Sequence, residues 1–73
     1  MNDTGQEIAI TVNGRPHRTK AGLSLAELLA ALGVAASGVA VELDGSVVTS
    51  QDFSRVRLSA GQRVEIVRLV GGG

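Results

Sequence analysis

Residues 7–20 read EIAITVNGRPHRTK, and this stretch decides the fold. From Glu7 to Val12 the pattern alternates, with Ile8, Ile10 and Val12 on one face and Glu7, Ala9 and Thr11 on the other, as in a half-buried strand. Asn13-Gly14 follows. A two-residue hairpin turn of type I′ needs positive φ at both central residues, and Asn-Gly is well suited to it. Arg15 to Lys20 is then the returning strand. Pro16 has no N–H to give to a ladder, which places this strand at a sheet edge.

Working outward, Ser24-Leu25-Ala26-Glu27 has the form of a capping box, with Ser24 at the N-cap and Glu27 at N3. Leu25, Leu28, Leu29 and Leu32 follow at helical spacing and form one apolar stripe. Gly33 supplies the left-handed residue that ends such a helix. A helix of two to three turns depends on packing rather than propensity. Val39, Val41 and Leu43 alternate with Ala40 and Glu42 in a third strand, Asp44-Gly45 turns the chain, and Ser46 to Thr49 continues it. Gln51 to Leu58 is irregular, with one helical turn setting Phe53 and Val56 against the core. After a turn at Ala60-Gly61, Arg63 to Leu69 is the final strand. Val64 and Ile66 point inward, and Glu65, Val67 and Leu69 outward. One sheet crossed by one helix is the simplest way to bury both apolar surfaces.

The chain has 73 residues, enough for one domain with a thin core. We divide it into a disordered lead-in at 1–6, a domain at 7–70 and a flexible glycine tail at 71–73. No cysteine is present, so disulfides, thiolate metal sites and iron–sulfur clusters are excluded. The one histidine, His17, cannot build a metal site alone. Seven basic residues balance seven acidic ones, and Phe53 is the only aromatic residue. Nucleic-acid binding therefore has neither a basic field nor stacking platforms. No apolar run reaches membrane-spanning length, and the polar stretch Met1–Gln6 lacks the form of a signal peptide. These features suggest a cytoplasmic protein.

The tail carries the chemistry. Gly71-Gly72-Gly73 directly follows a strand and the apolar Val70. Glycine is entropically expensive to order and contributes no packing. It does allow a backbone to thread a narrow channel and bring a carboxylate close to a phosphate. Val70 to Gly73 fully extended reach roughly 13–14 Å, at about 3.3–3.6 Å per residue. Val67 and Leu69 form a candidate docking patch beside this tail, and Arg68 is a candidate partner for an acidic groove. Arg55, Arg57 and Arg63 read as a solvated face.

The segment Glu65-Ile66-Val67-Arg68-Leu69-Val70-Gly71-Gly72-Gly73 resembles the end of the ThiS family, the sulfur carriers of thiamin biosynthesis. Val39-Ala40-Val41-Glu42-Leu43-Asp44-Gly45 resembles the family's third strand and turn, Leu25 to Leu32 its helix, and Leu58 to Gly61 its final turn. Gln62 departs from the pattern, since relatives often carry an acidic residue there. The resemblance implies an α+β fold of the ubiquitin-like β-grasp type: a mixed sheet of four to five strands, its first and last strands parallel at the centre, with one helix across it. It also implies a mechanism. An E1-like adenylating enzyme uses ATP to activate the carboxylate of Gly73. A protein persulfide then donates sulfur, leaving a thiocarboxylate that thiazole synthase consumes. On this reading Gly73 is the reactive residue, and Val67, Arg68, Leu69, Val70, Gly71 and Gly72 meet the partners. The chain binds no cofactor itself and is a co-substrate rather than an enzyme. The small-subunit sulfur carrier of molybdopterin synthase, a ubiquitin-like modifier of target lysines, and a plain binding module remain as alternatives.

Overall fold

A computed structural model of the chain describes residues 6–69. Strands β1 (Glu7–Val12) and β2 (Arg15–Lys20) pair antiparallel, with Ile10 opposite His17. The turn between them has Asn13 at φ 51° and Gly14 at φ 81°, the two positive angles that the Asn-Gly pair predicts. Strands β3 (Val39–Leu43) and β4 (Ser46–Val48) repeat the device at Asp44 (φ 50°) and Gly45 (φ 86°). β4 stops one residue short of the expected Thr49, which instead leads into a 3₁₀ turn at Ser50–Asp52.

Strand β5 (Arg63–Arg68) joins the two hairpins. The sheet has five strands in the order β2-β1-β5-β3-β4. β5 runs parallel to β1, as the family resemblance implies, and antiparallel to β3. Pro16 lies in β2, at the edge. Gln62, the departure from the family pattern, closes the turn before β5: its side-chain oxygen accepts the Ser59 N–H at 2.7 Å, a role an acidic side chain could also fill.

Helix α1 (Leu25–Ala31) lies across the sheet. Its capping box is complete. Ser24 Oγ accepts the Glu27 N–H at 3.0 Å, and the Glu27 carboxylate accepts the Ser24 N–H at 2.9 Å. The next two orphan donors of the first turn are met from further along the chain: Leu25 N–H donates to the Val56 carbonyl and Ala26 N–H to that of Phe53, both at 2.9 Å. The segment 53–58, irregular by sequence, thus straps the helix start. It buries Phe53 and Leu58 to 2% exposure. With them Ile10, Leu25, Leu28, Leu29, Val39, Val41 and Val64 form the core.

The fourth leucine of the expected stripe is a correction. Leu32 is the C-cap and is 37% exposed. The helix ends in a Schellman arrangement, in which Gly33 N–H (φ 73°) donates to the Ala30 carbonyl and Val34 N–H to that of Leu29. This reversal packs Val34 against the core and leaves Leu32 outside.

Candidate functional site

The predicted site is the C-terminal end of β5, and its position follows from what holds β5. Two turn residues with positive φ grip the strand from either side. On the β1 side, Asn13 N–H donates to the Val64 carbonyl at 2.8 Å. The Asn13 side chain accepts the Ile66 N–H at 2.7 Å and donates to the Ile66 carbonyl at 3.2 Å. On the β3 side, Asp44 N–H donates to the Arg63 carbonyl at 2.8 Å, and Asp44 Oδ1 accepts the Arg63 N–H at 2.8 Å. Beyond the strand, Leu69 N–H donates to the Gly38 carbonyl at 3.0 Å. The backbone is therefore held as far as Leu69, four residues before Gly73, the predicted reactive residue.

Alternation assigns the faces. Val64 is fully buried and Ile66 packs against the core, while Val67 and Leu69 are each 57% exposed on the opposite, outer face. Both predicted patch residues are thus displayed, as the sequence reading expects. Arg68 is in phase with Val64 and Ile66. It is exposed and lines an open groove of about 250 Å³ with Gly33, Val34, Ala35, Gly38 and Val39. Arg68 and Val67 therefore address different sides of the sheet and do not form one patch. The same alternation that assigns Val67 outward could have shown this from sequence. Val70, Gly71, Gly72 and Gly73 lie outside the described residues.

Other candidates resolve into local structure. Arg57 donates to the Gly22 carbonyl at 3.1 Å, and Arg55 pairs with Asp52 at 3.8 Å. His17 is half-buried in β2. Hydrogen bonds from the Ser24 main chain and then its side chain hold the Glu27 carboxyl below its ordinary pKa. Among the described residues no three His, Asp or Glu side chains converge on a metal position, and no helix is long and apolar enough to cross a membrane.

Comparison with known proteins places this geometry among relatives. The family model of the ThiS family matches residues 6–73. Thiazole synthases of Magnetococcus marinus and Paramagnetospirillum magneticum are 41% and 33% identical over 64 residues, which is 88% of this chain and 20% of each relative. The chain thus spans about one fifth of the length of these relatives. The crystal structure of the thiamine biosynthesis protein ThiS from Geobacter metallireducens matches with a TM-score of 0.80 at 39% identity, covering 90% of this chain and 100% of that one.

Proposed function

The chain belongs to the ThiS family, the sulfur carriers of thiamin synthesis, and we propose that its carrying group is the carboxyl group of Gly73. A carboxylate resists nucleophiles because its charge is delocalised. Transfer of AMP from ATP, on an E1-like adenylating enzyme, gives an acyl-adenylate with a good leaving group. The terminal sulfur of a protein persulfide displaces the AMP to give an acyl disulfide. A partner's thiol then attacks the donor's sulfur, which breaks the S–S bond, leaves a thiocarboxylate on Gly73 and forms a disulfide on the donor side. Thiazole synthase then takes the sulfur. The carrier is a co-substrate throughout and supplies no catalytic side chain.

The observation that carries this reading is the anchoring of β5. Main-chain bonds hold the chain as far as Leu69, and the four residues from Val70 to Gly73 follow. Fully extended they span roughly 13–14 Å, so a partner can dock on the globule and receive the carboxyl group in its own active site. The absence of cysteine supports the same reading: no side chain here can hold a persulfide, so sulfur must travel on the main-chain end. Thiazole synthase as a partner is supported by the two relatives of that name, which contain a region like this chain. Val67, Leu69 and Arg68 at the root of the tail are the proposed docking residues.

Intact mass spectrometry tests the reading. The chain is incubated with its adenylating enzyme, ATP and a persulfide donor. One oxygen should be replaced by one sulfur, and fragmentation should locate the change at Gly73. A change at an internal residue, or none, defeats the reading.

A further inference from the structure

The outer face of the sheet carries an arrangement that the sulfur chemistry does not use. Glu42 of β3 stands directly opposite Glu65 of β5. Both are half-buried. Facing residues on antiparallel strands have Cβ atoms about 4.5–5.5 Å apart, and like charges so placed repel. The salt bridges among the described residues are Arg18 with Glu7 and Arg55 with Asp52. Neither involves this pair. Arg63, two positions along β5 on the same face, forms no salt bridge with either carboxylate.

The surroundings of the pair are apolar. Val47 of β4 lies beside Glu42 in register and is 71% exposed. Val67 and Leu69 continue the outer face from Glu65 toward the tail, each 57% exposed. A metal ion would find two carboxylates on an open sheet and would satisfy nothing of this apolar border. A macromolecular surface with one cationic side chain satisfies both. The planar fork of an arginine suits a pair of carboxylates best.

We propose that this face is a docking surface for thiazole synthase, with an arginine or lysine of the synthase entering between Glu42 and Glu65 while apolar residues cover Val47, Val67 and Leu69. The proposal rests on the carrier reading above. The synthase is the chosen occupant because chains of that name contain a domain like this one. The strip also ends at the root of the tail, so a surface covering it is well placed to receive Gly73. Repulsion between the two carboxylates in the free carrier is relieved on binding. The pair therefore acts with opposite signs on the two equilibria, weakening the isolated fold and strengthening the complex.

The test uses that opposition. Wild type, Glu42→Gln, Glu65→Gln and the double variant are titrated with thiazole synthase, and separately with the adenylating enzyme, at low and high ionic strength. Each is also melted alone. Each single variant should bind the synthase about tenfold more weakly at low salt, with a smaller salt dependence, and should melt at the same or a higher temperature. A variant that melts lower, synthase affinity that does not change, or a loss confined to the adenylating enzyme overturns the proposal. Sulfuration of the wild type, read by intact mass, runs alongside. A wild type that takes up no sulfur defeats the carrier reading and this proposal together. A sulfurated wild type whose Gln variants bind normally defeats the acidic pair alone.

Discussion

The side-chain amide of Asn13 pairs with both main-chain groups of Ile66, accepting its N–H at 2.7 Å and donating to its carbonyl at 3.2 Å. A residue that makes the first turn thereby extends the β1–β5 ladder past the end of β1. Asn13→Gly keeps the positive φ but removes both bonds. It should lower stability by about 1 kcal/mol, the scale of a partly exposed hydrogen-bond pair. Asn13→Asp keeps the acceptor for the Ile66 N–H and should lose less. Urea unfolding of the three proteins checks the order.

The helix makes a sharper contrast. Leu28 is fully buried, whereas Leu32 is 37% exposed at the C-cap. Leu28→Ala should destabilise by about 2–5 kcal/mol through lost burial and a cavity. Leu32→Ala should stay within roughly 0.5 kcal/mol, as at a surface position. Equal losses in thermal melts would mean that Leu32 belongs to the core after all.

Glu27 titrates with the fold. Its folded pKa lies below its ordinary value because the Ser24 main chain, and then its side chain, bond the charged form. A depressed carboxylate pKa contributes stability that is present above the unfolded pKa and lost as pH falls through the folded one. Glu27→Gln keeps an oxygen for the Ser24 N–H but has no charge to lose. The melting difference between wild type and Glu27→Gln should therefore be largest near neutral pH and shrink on acidification below the ordinary glutamate range.

At the docking strip, Val67→Asp should weaken the complex with the adenylating enzyme while leaving the melting temperature nearly unchanged, because Val67 is 57% exposed. Binding titration and melting of the same sample decide it. Unchanged affinity removes Val67 from the interface.

Gly72→Val and a C-terminal extension test the tail itself. A branched side chain obstructs a narrow channel, and each added residue displaces the carboxylate by about 3.3–3.6 Å. The extension should abolish sulfuration by intact mass and Gly72→Val should impair it, neither shifting the melt.

The hairpins, the capping box and the inward and outward faces of β5 were legible because each rests on neighbours in sequence. Asn-Gly and Asp-Gly demand their φ values locally, and Ser24 and Glu27 close a box only three residues wide. What escaped was set at long range. The grip of Asn13 on Ile66 spans 53 positions, and no local rule places an amide that far away. The strap from Phe53 to Leu58 looks irregular because its bonds go to the helix start. Leu32 kept perfect helical spacing, yet Val34 took its place once the chain reversed at Gly33. Arg68 was legible as a neighbour of the tail, but its groove requires the 33–39 connection to be in place. The facing of Glu42 and Glu65 depends on the β3–β5 register, and neither strand states that register alone.

The central position of β5 has a mechanical consequence. On the carrier reading proposed above, an enzyme that drew the tail into its active site would pull on Leu69, and the load would enter the middle of the sheet rather than an edge. β5 is flanked by a parallel neighbour and an antiparallel one, so a pull along its axis shears two ladders together instead of peeling one bond at a time. The Asn13 and Asp44 bonds join β5 to the turns of its two neighbours and add to those ladders. If the proposed carrier is threaded into its partners, a tug on its working end is thus spread over two ladders instead of one.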